Sequence, residues 1–206
     1  MDEKSLKKYS RNALLGSFVS MLTAGLATMM YSVCLGTIQT ELSLTAAQSG
    51  SLATYTFMGQ LLGGMVAGYI ADRIGRKKVL IVDVILATGA VFATSFLTSY
   101  SIFGLLRFIT GVGLGGCYYI ASILIGEFVS TDKRGFMSGV STSVWNFGYV
   151  VACVMSSTVL NSIGWRNCFR ICALPILAVI FMVFCMKDAP SFTAAKAARD
   201  KRDASM

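Results

Sequence analysis

Histidine is missing from all 206 residues, and the six cysteines at 34, 117, 153, 168, 172 and 185 form no CxxC pair. Zinc sites and disulfide frameworks depend on such spacings, so neither is supported and the cysteines read as free thiols in or beside apolar segments. Proline occurs only twice, and charged residues make up 14% of the chain against 55% hydrophobic ones, with a mean hydropathy of +0.67. One soluble core of this size cannot hide that much apolar side chain, which excludes an ordinary soluble domain. No nucleophile, metal cluster or acid–base constellation stands at membrane depth, so the sequence predicts neither an enzyme nor a cofactor.

What is present points to a polytopic membrane protein. Six segments reach the roughly 20 apolar residues that cross about 30 Å of hydrocarbon as a helix: about 13–36, 49–71, 79–99, 102–126, 136–160 and 168–186. The net charge of +8 gathers in short clusters between these segments rather than along one exposed face, which argues for topology signals and against nucleic acid. Lys4, Lys7, Lys8 and Arg11 precede the first span, Arg73, Arg76, Lys77 and Lys78 separate the second and third, and Lys133 and Arg134 separate the fourth and fifth. Lys187, Lys196, Arg199, Lys201 and Arg202 follow the sixth, whereas the opposite side carries only Arg166 and Arg170. By the positive-inside rule both termini are expected in the cytoplasm.

Glycine crowds two of the spans. Gly59, Gly63, Gly64 and Gly68 make overlapping small-xxx-small patterns in the second, and Gly111, Gly113, Gly115 and Gly116 lie in the fourth, so these helices are expected to pack backbone to backbone. Gly59 and Gly68-Tyr69 recur at the same spacing as Gly139 and Gly148-Tyr149, an echo that a three-plus-three repeat leaves.

Between the second and third spans runs Gly68-Tyr-Ile-Ala-Asp72-Arg73-Ile-Gly75-Arg76-Lys77-Lys78. Gly75 is expected to supply a positive φ in a loop of about seven residues. Asp72 sits at a helix C-terminus that disfavours its charge, and so requires a compensating cation or helix N-terminal amides. The run resembles the signature loop of the major facilitator superfamily, G-x-x-x-D-R-x-G-R-R/K-R/K, at every fixed position. Arg107-Phe-Ile-Thr-Gly111-Val-Gly113-Leu-Gly115 is similar to the family's R-x-x-x-G-x-G-x-G. Glu127 to Gly135 resembles its loop after span four without the usual proline, and Gly164-Trp165-Arg166 resembles its G-W-R turn. The resemblance is nearest to the metabolite/aromatic-acid and sugar proton symporter branches.

That resemblance implies an all-α membrane protein, one six-helix half of the facilitator fold built as a 3+3 inverted repeat. It implies a cytoplasmic gate formed by Gly68, Asp72, Arg73, Gly75, Arg76, Glu127 and Arg134, with Glu127 and Arg134 paired near the first basic cluster. It also places spans one, two, four and five around the substrate, which makes Arg107, Asn146, Tyr31, Gln60 and Tyr118 the candidate substrate or coupling residues. Arg107 has two physical readings, snorkelling to the headgroups or lining a cavity that binds an anion. Asp83 reads as a structural ion-pair partner of Arg76 and Lys77, and Trp165 suits an interfacial belt. Two departures stand out. The symporters' D-G-x-D pair falls on Ala24-Gly25-Leu26-Ala27, which removes both acids, and Ala152-Cys153 replace the Gly-Pro pair of antiporters.

The expected organisation is a cytoplasmic segment at 1–12, a six-helix bundle at 13–186 and a linker-like cytoplasmic tail at 187–206. The expected activity is secondary transport of a small organic solute, an organic anion or related metabolite, by alternating access and with ion-coupled uptake, in a multi-pass protein of the cell membrane. Partners are the solute, a proton, the lipid bilayer, and a second six-helix half or second copy, the chain reading as an N-terminal half or truncated form. A non-transporting membrane subunit and a dimeric half-size carrier are the alternatives.

Overall fold

The structure, a computed structural model, describes residues 3–185, with side chains from residue 11 onward except at 128, 161, 178, 181 and 185. The tail at 187–206 and the side chains of Lys4, Lys7 and Lys8 lie outside the described residues. Within them every regular element is helical.

Helix α1 (Glu3–Glu41) runs for 39 residues, about 58 Å at 1.5 Å per residue, well beyond the expected 13–36. Proline-free sequence lets it continue, and it stops where Ser43 takes φ 51. Thr45 then starts α2 (Ala46–Ile74) with a capping box: the Gln48 amide donates to Thr45 Oγ1 at 3.2 Å, and the Thr45 amide donates to Gln48 Oε1 at 2.9 Å. Helix α3 (Arg76–Thr94) follows after Gly75 alone, at φ 105 and ψ 139. The positive φ expected there is present, but the loop is one residue rather than about seven, because the charged residues on either side are absorbed into helix ends. Helix α4 (Tyr100–Phe128) leads through a short 3₁₀ turn to α5 (Arg134–Met155).

A π-helical stretch at Ser156–Leu160 continues α5 into α6 (Asn161–Ile171), which is kinked where Gly164 adopts φ 76 and ψ 163. A 3₁₀ turn at Leu174–Ile176 separates α6 from α7 (Leu177–Cys185). The sequence predicts one span over 168–186, and the structure breaks it at Pro175, which lacks an amide proton and crowds the preceding turn.

Among the described residues, three stretches are long and apolar enough to cross a membrane: Arg11–Glu41, Tyr100–Glu127 and Thr131–Leu160. Composition explains why the other expected spans stand apart. Gln48, Ser49, Ser51, Thr54 and Gln60 dilute α2, α3 opens on Arg76-Lys77-Lys78 and contains Asp83, and the last span is broken.

Glycine sets the packing. A methyl on Gly59 or Gly63 would strike the backbone of Phe108 or Val112, and one on Gly111 or Gly115 would strike that of Thr56 or Gln60, so α2 and α4 touch backbone to backbone along four rungs. Helices α1 and α5 meet the same way, Gly25 against Trp145 and Gly148 against Leu22. The small-xxx-small reading of spans two and four is thereby realised. The echo is not matched in contact: Gly59 is packed while its counterpart Gly139 is open, and Gly148 is packed while its counterpart Gly68 is open, methyls on Gly68 and Gly139 meeting nothing within 4 Å. Apolar side chains cover the outer surface as well as the core, with Met65 on α2 67% exposed and Phe136 on α5 74% exposed. Helices apolar on both faces have protein on one side and lipid on the other.

Candidate functional site

Four helices meet around a cavity of about 320 Å³. Helix α1 contributes Ala24 and Thr28, α2 Phe57 and Gln60, α4 Tyr118 and Tyr119, and α5 Trp145. These are the four helices the resemblance placed around a substrate. The glycine rungs explain the geometry, since Gly115 lies against Gln60 and Gly25 against Trp145, which leaves no room for side chains other than those facing the cavity. Tyr118 stands edge-on to both Trp145, at 5.9 Å between ring centres, and Tyr119, at 6.0 Å. Thr28 satisfies its hydroxyl on the Ala24 carbonyl at 2.7 Å. Among the described residues, no charged one lines this cavity. It offers aromatic faces, phenols and one amide, a surface suited to the planar or hydroxylated body of a small organic molecule.

The five candidate residues therefore separate. Gln60 and Tyr118 share the cavity. Asn146 is exposed and donates from Nδ2 to the Thr142 carbonyl at 2.9 Å. Tyr31 is buried with its hydroxyl donating to the Ser49 carbonyl at 2.9 Å. Arg107 is only 1% exposed and lies against the rings of Tyr31 at 4.9 Å, Phe169 at 5.1 Å and Phe103 at 5.7 Å. It neither snorkels nor lines the cavity. Its Nε and Nη2 have no hydrogen-bond partner, so the aromatic faces supply its compensation.

Asp83 differs from its expected role. Because α3 begins at Arg76, Asp83 sits two turns inside the helix, 6% exposed, against α4, where a methyl on Gly116 would fall 2.6 Å from Oδ1. It makes no ion pair with Arg76 or Lys77, and its Oδ2 has no hydrogen-bond partner.

At the α2–α3 junction the gate residues assemble in part. Arg76 pairs with Glu127 of α4 and lies 3.7 Å from Asp72 one turn earlier. Asp72 is mostly exposed, and Arg73 stacks at 4.3 Å over Tyr69. Lys77 donates to the Val183 carbonyl at 2.8 Å and so ties α3 to α7. Glu127 does reach the first basic cluster, with Arg76 as its partner, while Arg134 donates from Nε to the Val129 carbonyl at 3.4 Å.

The opposite end holds a cluster that the sequence reading missed. Glu41, at the end of α1, accepts from Trp165 Nε1 at 2.5 Å and pairs with Arg166. Trp165 is 1% exposed and packs edge-on against Phe169 at 5.6 Å, so it is a core residue rather than part of an interfacial belt. The turn at Gly164 faces its rings inward. A lone acid ending one long apolar run, opposite the W-R of another, was the available signal.

Comparison with known proteins agrees with this architecture. The profile of the Major Facilitator Superfamily matches residues 17–205. The chain belongs to the major facilitator superfamily. Members of this family are integral membrane carriers and not enzymes. The cis,cis-muconate transport protein of Acinetobacter baylyi is 28% identical over 190 residues, covering 92% of this chain and 46% of its own. A putative niacin/nicotinamide transporter of Bacillus subtilis is 31% identical over 161 residues, 78% of this chain and 40% of its own. Among solved structures, the xylose transporter of E. coli in its inward-open conformation superposes with a TM-score of 0.80 at 20% identity, over 92% of this chain and 51% of its own, a likeness of fold. The chain spans about half the length of the curated relatives it matches.

Proposed function

We propose that this chain forms the solute-binding bundle of a secondary carrier for small organic molecules, working by alternating access across a cell membrane. The observation that carries the reading is the cavity lined from α1, α2, α4 and α5, with Gln60 as its amide and Tyr118, Tyr119 and Trp145 as its aromatic faces. Its content favours a solute with a planar or hydroxylated body, and the named solutes of its relatives, muconate and niacin, are planar. In this reading the bundle holds six spans with both termini in the cytoplasm, and the segments 1–12 and 187–206 flank it there. The 3+3 repeat is supported by the packing. Exchanging the first three spans with the last three carries the α2–α4 contact onto the contact between α1 and the fifth span.

Arg76 with Asp72 and Glu127 makes the cytoplasmic latch, which holds α2 and α3 to the end of α4 while the cavity is closed on that side. Uptake is ion-coupled, and a second six-helix unit supplies the other wall of the solute site. Trp145 provides the test, because it lies in the cavity while the other tryptophan, Trp165, is buried elsewhere. In a Trp165→Phe background, muconate or niacin should quench Trp145 emission saturably, Gln60→Leu should weaken that binding about tenfold, roughly one buried hydrogen bond, and vesicles containing the chain should show solute counterflow. Absence of both quenching and counterflow refutes the proposal and leaves a non-transporting subunit.

A further inference from the structure

Beside the aromatic cavity lies a second one of about 240 Å³ between α4 and α5, and Tyr118 lines both. Its α5 wall is Arg134, Ser138, Ser141 and Thr142, at i, i+4, i+7 and i+8, and Tyr118 and Ser122 face them from α4 at the same helical spacing. Two matched stripes of hydroxyls on adjoining helices are out of place against lipid and mark a path for water or solute. The hydroxyls differ in how they are satisfied. Ser122 donates to the Tyr118 carbonyl at 2.8 Å and Thr142 to the Ser138 carbonyl at 3.1 Å, whereas Ser141, 4% exposed, has no partner for its Oγ. Arg134 stands in the first turn of α5, where the helix end adds its own positive field, and the structure gives it only the Nε contact to Val129, at 3.4 Å. Among the described residues, no carboxylate lines the cleft.

We propose that this cleft binds a small organic anion, with the Arg134 guanidinium as donor to its carboxylate and the Ser141 hydroxyl, two helical turns further along α5, facing the rest of the molecule. The guanidinium fork matches the two oxygens of a carboxylate, and a single cation suits a single carboxylate better than a multiply charged group. With Tyr118 shared, the cleft receives the charged end of a solute whose planar body occupies the neutral cavity. The inference deepens the proposed function, and rests on it for the identity of the passing solute.

Equilibrium dialysis of the purified full chain in nanodiscs with radiolabelled benzoate and its neutral isostere benzamide tests it without requiring transport. Benzoate should bind roughly tenfold more tightly than benzamide, as expected for one charge-assisted contact. Arg134→Gln should erase that preference, Arg134→Lys should keep part of it, and Ser141→Ala should weaken both probes alike. A thermal melt of each variant confirms that it is folded. Equal binding of the two probes, or a benzoate preference that survives Arg134→Gln, overturns the carboxylate site while leaving the aromatic cavity standing. Failure of benzoate to bind overturns it as well, and solute counterflow in vesicles then judges the transport reading separately.

Discussion

Replacing Gly115 by alanine tests whether the α2–α4 backbone contact sets the geometry of the cavity. The new methyl would fall 2.8 Å from both the carbonyl carbon and the Cα of Gln60, and closer still to its carbonyl oxygen. Carbon atoms prefer about 3.5–4.0 Å, so the overlap is at least about 0.7 Å, and no rotamer change relieves it because the obstacle is backbone. Overpacking of this kind costs about 1–3 kcal/mol. Against it stands the gain in helix propensity from glycine to alanine, about 0.8–1.0 kcal/mol. Gly89 and Gly139 serve as controls, since a methyl at either meets nothing within 4 Å and only the propensity gain applies. The two classes should therefore separate by about 1–3 kcal/mol, or about 2–12 °C in melting temperature for a chain of this size. Size-exclusion or intrinsic-fluorescence melts in detergent measure this directly. If Gly115→Ala melts together with Gly89→Ala and Gly139→Ala, the helices are not in backbone contact and the account of the cavity wall fails.

Arg107→Met should leave stability unchanged or raise it by about 1–4 kcal/mol, because it removes an enclosed charge with orphan donors and keeps the side-chain volume, whereas Arg107→Ala should lower it by opening a cavity; a clear loss in the methionine variant would reveal a counter-charge. Gly75→Ala should destabilise the α2–α3 junction by about 1–3 kcal/mol, since its φ of 105 belongs to backbone that other residues rarely adopt, and an unchanged melt would place the junction in a different conformation.

Much of this architecture was legible in the chain because its cues are local. The basic clusters fell between apolar runs, the glycine spacing of spans two and four anticipated their contact, and Gly75 took the predicted positive φ. Helix ends were less legible. Basic residues at 76–78 read as loop by charge, yet they form the first turn of α3, where Arg76 pairs with Glu127. Side-chain destinations were the least legible. The depth of Arg107 allowed either snorkelling or lining a cavity, but its direction depends on Phe103 one turn earlier and on Phe169 sixty-two residues later, which no local pattern discloses. The hydroxyl stripe of α5 was present as Ser138, Ser141 and Thr142, and went unread because serine and threonine are ordinary in spans until a facing stripe on α4 gives them a cleft.

The contact of Gly25 with α5 also bears on how the protein is made. Helix α2 finds α4 after about 50 more residues have been synthesised, but α1 must wait for Gly148, about 120 residues behind Gly25. At ordinary synthesis rates that interval is roughly 6–25 s. During it the Leu22–Leu26 face of the first helix has only lipid or the insertion machinery to shelter it. The α5-facing stripe of the first helix is therefore among the last surfaces of the bundle to be covered, although Tyr31 already ties that helix to Ser49 of α2 and Arg107 of α4.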